Sequence, residues 1–464
     1  MAKLSDAEIA ALVGRFSGEQ GEPAKRRADS GAVAAPYADG ALSRAYPAPS
    51  FEDLPAYKRL EVQLKVGKAT GVTQPFFMVH EGCAHATTVV DGRTLLNFST
   101  YDYLGLNGDP RVNAAAVAAM ERYGTSASAS RLVAGERPVH RELEQALAAH
   151  YGTEDALVFV SGYATNVTVI ATLFDRGDII FEDALVHNSI VTGALNSGAT
   201  RVAVPHNDVE ALERLLKERR HRHRRALIVT EGVFSMDGNC ARLKELIALK
   251  KRYGCFLMVD EAHALGVTGK TGRGSFEREG INPAQVDIWM GTLSKTLCTC
   301  GGYIAGAKAL VMLLRYTAPA FVYSVGLSPA LAAASLKALT LLHEETWRVH
   351  KLQENARYAL DTARALGLNT GLAEGTSILP ILVGSSLKAA FLSNLLMERG
   401  VCALPVIHPV VPEGEARLRL FLSAAHEKEH LMSALKTIAD CLPVAEEKAA
   451  AFSTSRVREA EHGR

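Results

Sequence analysis

The chain has 464 residues, 48% of them hydrophobic, and its 51 Lys+Arg against 50 Asp+Glu leave a formal charge of +1. So even a balance gives no global pull toward nucleic acid or an acidic membrane. No apolar run is long enough for a bilayer span, and no basic stretch followed by a hydrophobic one opens the chain, so a cytoplasmic protein with room for two structured domains is expected.

In chain order, MAKLSDAEIAALVGRF sets Leu4, Ile9, Leu12 and Phe16 at helical spacing behind a Ser-Asp cap signal. An Ala/Gly/Pro-rich linker reaches residue 50, so 1–50 reads as a helix and linker. A leading segment, 51–97, ends in HATTVVDGRTLLNF, where Asp91-Gly92 is a two-residue hairpin signal. Beyond it ALVFVSGY, DIIFED, TRVAVPH, ALIVTEG, CFLMVDEAH and DIWMGTLSK alternate with helical segments such as RELEQALAAHYG and LKELIALKKRYG. That alternation predicts an α/β fold, a mostly parallel sheet with helices on both faces. A large domain over 98–350, a smaller α+β domain over 351–440 and a frayed or disordered tail over 441–464 are expected. The basic run KERRHRHRR, Lys217 to Arg225, reads as the solvated end of a helix. Seven scattered cysteines fit a reducing compartment. Cys298 and Cys300 have no histidine or cysteine neighbours that would make a zinc site, so they read as small core residues and no metal is expected.

The stretch GTLSKTLCTCGGYIAG places Lys295 among hydroxyls and glycines straight after a strand, with no Gly-x-x-x-x-Gly before it. Taken alone, it is either a lysine at a cofactor or one with a buried stem and an exposed tip. Its company decides. Gly162-Tyr163, Asp183 with His187, Glu231, Asp260 with His263, and Lys295 all fall at strand ends, where parallel sheets bind ligands. SGYATN enters a helix and aims N–H groups at a phosphate, Asp260 suits a protonated ring nitrogen, His187 a ring face, and Lys295 an imine. Phosphate, ring nitrogen, ring face and imine carbon are the handles of pyridoxal 5'-phosphate.

FSTYDYLGL, SRLVAGERPVHRELE, SGYATN, EDALVHNS, TEGVFSMDG, MVDEAHALGVTGKTGRG, GTLSKTLCTCGGYIAG, FVYSVGLSP and ARLRLFLSAAH follow one another in an order that resembles the α-oxoamine synthases, fold-type I pyridoxal-phosphate enzymes. The resemblance implies a homodimer that condenses an α-amino acid with an acyl thioester, with loss of carbon dioxide, to an α-amino ketone. It further implies that Lys295 binds the cofactor covalently and moves the α-proton, Asp260 holds the pyridinium, His187 stacks on the ring, and His263 bonds its phenolic oxygen. Gly162, Tyr163 and Thr292 would bind the phosphate, Ser235 would line the pocket, and Arg419 would grip the substrate carboxylate. Tyr101 stands at the carboxylate end of the pocket, where several relatives have asparagine. Val325 replaces a threonine that reaches the phosphate of the neighbouring subunit, leaving Ser324 to make that contact. Ile407, twelve residues before Arg419, replaces an arginine common in the family. The whole pattern looks most like the serine palmitoyltransferase-like synthases and the synthase domains of polyketide assembly lines, whose acyl donor sits on an acyl carrier protein. The alternatives are a free-standing serine palmitoyltransferase-like or 8-amino-7-oxononanoate synthase using acyl-CoA, and a catalytically silent partner subunit, against which Lys295 argues.

Overall fold

The computed structural model describes residues 48–69 and 72–462, so the helix expected over the first sixteen residues lies outside the described residues. The chain divides into two compact units, one up to Val66 and one from Gly67 onward. In the first, a short turn at Phe51–Asp53 leads into an exposed helix, Pro55–Ala69. Everything below concerns the second.

β1 (Thr87–Val90) and β2 (Arg93–Asn97) form the expected hairpin. Asp91 and Gly92 both have positive φ, 49° and 72°, as a two-residue turn between right-twisted strands requires. The main sheet follows: β3 (Asp155–Phe159), β4 (Ile179–Asp183), β5 (Thr200–Val204), β6 (Ala226–Glu231), β7 (Phe256–Asp260), β8 (Ile288–Thr292) and β9 (Gly302–Gly306). They lie in the order β3-β9-β8-β7-β6-β4-β5. The pairs from β5 through β8 are parallel, and β9 alone runs against its two neighbours. The six apolar runs are β3 to β8, and β9 is the strand the sequence concealed, because GGYIAG is short and glycine-bracketed.

Period-two alternation feeds two cores. Ile228, Leu257, Val259 and Trp289 point into the larger one, between the sheet and helices such as Pro138–Tyr151 and Leu243–Tyr253. Leu227, Val229, Met258, Ile288 and Met290 point to the other face, against Gly162–Leu173, Asn188–Ser197 and Lys308–Thr317. Central strands buried on both faces must be apolar nearly throughout, which is why they read as continuous runs. Trp289, fully buried, stacks on Tyr151 at 5.2 Å and donates its Nε1–H to the carbonyl of Pro283. Gly291 in β8 lies under the Tyr303 ring of β9, which leaves no room for a Cβ.

β10 (Ile378–Gly384), β12 (Pro405–Val406) and β13 (Ala416–Phe421) form an antiparallel sheet, while β11 (Val401–Cys402) adds parallel to β2. The leading hairpin is thereby joined to the C-terminal lobe. The last helix continues to His462 through Pro443, with Cys441 and Ala445 buried. The apolar face of that turn packs on the preceding core, which outweighs the lost N–H of proline. The basic run ends a helix as expected and is also tied down: Arg224 and Arg225 pair with the buried carboxylate of Asp178, and Arg220 donates to the carbonyls of Tyr253 and Gly254.

Candidate active site

The carboxyl ends of β3, β4, β6, β7 and β8 open onto one cavity of about 400 Å³, within the usual range for a small-molecule site. Each strand delivers a different group. After β3, Ser161 caps the helix Gly162–Leu173 by accepting from the N–H of Ala164. Gly162 and Tyr163 stand in the first turn of that helix, the end that favours an anion. A Cβ on Gly162 would come within 2.8 Å of Thr292 Oγ1 at the end of β8, so only glycine lets the turn approach that hydroxyl. After β4, His187 caps the helix Asn188–Ser197, its Nδ1 bonded to Ser189 Oγ at 2.7 Å.

β7 ends in Asp260, buried and without an ion-pair partner among the described residues. Its Oδ2 accepts from Asn166 Nδ2 at 2.8 Å and its Oδ1 from the N–H of Ala262 at 2.9 Å. Asn166 Nδ2 also donates to Ser189 Oγ at 2.9 Å, so Asp260 and His187 are joined by one hydrogen-bonded chain. A buried, oriented carboxylate facing a cavity calls for a cation inside it. Three residues on, His263 is held by the Tyr103 hydroxyl at Nδ1, 2.7 Å, and burial keeps the ring neutral, well below its ordinary pKa. Lys295 follows β8, with Nζ 5.6 Å from the Tyr101 ring centroid. Burial lowers its pKa to about 8, so a larger share of neutral amine is present near neutral pH than in an ordinary lysine. From the other lobe, β13 contributes Arg419, whose Nη1 bonds the carbonyl of Ser235 at 3.1 Å while its buried Nε has no partner.

These features fit pyridoxal phosphate as a group: an anion-binding helix end with a close hydroxyl, an uncompensated carboxylate, a flat imidazole, a low-pKa lysine and an unsatisfied guanidinium share one cavity. Comparison with known proteins supplies the decisive observation. The sequence pattern of aminotransferase class I and II matches residues 93–438. The chain belongs to that family, as an α-oxoamine synthase.

The 8-amino-7-oxononanoate synthase of Thermoanaerobacter pseudethanolicus is 40% identical over 388 residues, 83% of this chain and 96% of that protein. The one from Geobacter sulfurreducens is 44% identical over 360 residues, 77% and 91% of the two chains. Among solved structures, the serine palmitoyltransferase of S. paucimobilis, with a PLP–myriocin adduct bound, superposes with a TM-score of 0.82 at 30% identity, covering 86% of this chain and all of that one.

Within this α-oxoamine synthase the cavity gathers Tyr101, Gly162, Tyr163, His187, Ser235, Asp260, His263, Thr292, Lys295 and Arg419. Ser324 does not line it: it follows the short helix Pro319–Val322, next to the exposed Tyr323 and Val325. Asp183, grouped with the strand ends by sequence, instead bonds His206 Nδ1 and the N–H of Asn207. Cys300 is a correction as well, being exposed at the cavity and not in the core, whereas Cys298 is held by Asp102 and the carbonyl of Thr296. Asn166 and Ser189 were missed. Both sit inside motifs already singled out, SGYATN and EDALVHNS, but an amide and a hydroxyl carry no signal of their own until the fold brings them to a carboxylate.

Proposed function

We propose that this protein binds pyridoxal 5'-phosphate and condenses an α-amino acid with an acyl thioester, releasing the thiol and carbon dioxide and leaving an α-amino ketone. The observation that carries the reading is the meeting of Lys295, Asp260, His187, His263 and Arg419 around one cavity. When bound, the cofactor supplies an electron sink for a carbanion at the amino-acid Cα. The chain's own residues do the rest. Lys295 would hold the cofactor through its aldehyde carbon and would take and return the α-proton of the amino acid, a role suited to an amine with a pKa of about 8. Asp260, fixed by Asn166 and Ala262, holds the ring nitrogen in its protonated form. His187 presents a ring face, and His263, with Nδ1 occupied by Tyr103, has Nε2 left for the phenolic oxygen. Gly162 and Tyr163 offer N–H groups and Thr292 a hydroxyl to the phosphate. Arg419, which lines the cavity, orients the substrate carboxylate through its guanidinium. Tyr101, 38% exposed and edge-on to Phe421, lines the cavity beside Arg419, whose guanidinium lies over the same Phe421 ring.

The finer reading is an acyl carrier protein as donor, with release of a polyketide or fatty acyl chain in the cytoplasm; it rests on the motif pattern. The relatives named above favour a second reading, a synthase of 8-amino-7-oxononanoate using a free thioester. A homodimer is supported by exposed Val133, Tyr323 and Val325, which lie on two segments joined by the Ser130–Val322 and Gly326–Ala129 hydrogen bonds. Ser324, on the same surface, would then reach the neighbouring subunit's cofactor phosphate. Sedimentation equilibrium of the purified protein should give twice the chain mass.

Product mass spectrometry tests the chemistry: the protein with pyridoxal phosphate, pooled amino acids, and one acyl group offered in parallel as CoA and carrier-protein thioesters. A decarboxylated amino ketone mainly from the carrier-bound donor supports assembly-line release. The same product from CoA alone supports the free-standing reading, and none from either donor removes both.

A further inference from the structure

The cavity contains a titratable group for which the chemistry above has no use. Glu231, the last residue of β6, is 2% exposed and stands in register beside Asp260 at the end of β7. A second carboxyl group beside one already needed is costly to bury, and no ion pair compensates it among the described residues. Burial, aggravated by Asp260, pushes it up to about 8. A group that costly, at the wall of a site, points to a task there more than to core packing.

Its two oxygens show the task. Oε1 accepts the backbone N–H of His187 at 2.5 Å, and Oε2 accepts the backbone N–H of Ser235 at 3.2 Å. These donors belong to different segments, the turn after β4 and the loop after β6, and both residues line the cavity. The imidazole of His187 is fixed separately, through Nδ1 and Ser189. Ser189 thus sets the ring's rotation, whereas Glu231 sets where the backbone beneath it sits. The Ser235 loop in turn carries the carbonyl that receives Arg419 Nη1. One carboxyl group therefore connects the ring-stacking side of the site to the carboxylate-binding side.

Resting on the functional reading above, we propose that Glu231 is a positioning residue of the condensation: its carboxyl group clamps the His187 turn to the Ser235 loop and so fixes the imidazole face against the cofactor ring. The chemistry explains why an acid is used. Two N–H donors converge on it, and each oxygen of a carboxyl group, protonated or not, keeps a lone pair for one of them, whereas an amide must turn its NH2 toward one of them.

The test compares wild type, Glu231→Gln and Glu231→Asp, each stripped of cofactor and titrated with pyridoxal phosphate while visible circular dichroism and thermal midpoint are recorded. Glu231→Gln is expected to bind the cofactor about tenfold more weakly, the scale of one lost buried hydrogen bond. At saturation its dichroic band per bound cofactor should also be clearly diminished, a change in ring setting that mere loss of stability does not produce. Glu231→Asp keeps the carboxyl group but shortens its reach, and is expected to lie between; it also serves as the readout if the glutamine variant does not fold. An unchanged dichroic band at saturation in the variants overturns the clamp, whatever their thermal midpoints. A wild-type protein with no visible band overturns the functional reading and the clamp together, so the two failures are distinguishable.

Discussion

At the scale of single residues, Lys295, Glu231, His187 and His263 are held away from their ordinary ionisation by burial. Lys295 sits among Asp260, Glu231 and Arg419, and burial outweighs the two carboxyl groups in setting its pKa. Lys295→Ala is expected to abolish the visible absorbance that bound pyridoxal phosphate acquires and to reduce turnover at least about a hundredfold, the minimum contribution of a positioned acid–base group. Spectrophotometry and product formation check the two halves independently, and retained turnover would remove Lys295 from the mechanism. The buried acids also make a stability prediction. Glu231 and Glu261 are raised by burial to about 8 and about 7, so the folded protein holds protons that the unfolded chain has lost. Their contribution is full below the ordinary carboxylate range and is lost as pH rises through the folded values. Histidines lowered by burial, such as His150 and His426, act in the opposite direction, but only below their ordinary value of 6.5. Between about pH 6.5 and 8 the urea midpoint of the cofactor-free protein should therefore fall, and Glu231→Gln should flatten that slope. A midpoint that rises across this window would contradict the assignment.

At the scale of elements, the strands were legible because of where they lie. A strand buried on both faces has to be apolar nearly end to end, and the runs of β3, β4, β6, β7 and β8 declare this without any partner in view, whereas the edge strand β5 alternates. β9 was not legible, since Gly302 and Gly306 serve close packing and not strand propensity: a Cβ on Gly302 would meet Thr165 and Gly162 of the helix Gly162–Leu173. Gly291 makes the same point from the other side of that pairing. Gly291→Ala is expected to destabilise the fold by about 1–3 kcal/mol, since the Tyr303 ring occupies the space of the added methyl. Chemical denaturation would measure this, and neutrality would mean that the ring moves freely, against its hydrogen bond to Tyr151 at 2.8 Å. The two cysteines separated by one residue show the limit of local reading. Cys298, with a φ of 57°, lies against Asp102, whereas Cys300 lines the cavity, a difference invisible in the spacing.

At the scale of the second unit, the site depends on how the C-terminal lobe meets the main sheet. Arg417 and Arg419, two apart on β13, share a strand face and both reach the loop after β6. Arg419 takes the Ser235 carbonyl, and Arg417 pairs with Asp237 at 2.7 Å, both partners nearly buried. Removing one member of such a pair leaves an uncompensated charge, so Arg417→Ala is expected to cost about 3–5 kcal/mol. It should also raise KM for the amino acid more than it lowers kcat, because Arg419 loses its registration. A thermal shift with an unaltered KM would restrict Arg417 to a structural role. The sequence alone determined the α/β class, the strands β3 to β8 and the residue types gathered at their ends, since burial and chemistry at strand ends each demand particular residues at particular places along the chain. Only the tertiary structure decided which of them meet. It brought Asn166 and Ser189 between Asp260 and His187, sent Asp183 away to His206, and set Glu231 across two loops. Those are distances between segments tens to hundreds of residues apart, fixed by sheet order and lobe packing, and a linear pattern holds no record of them.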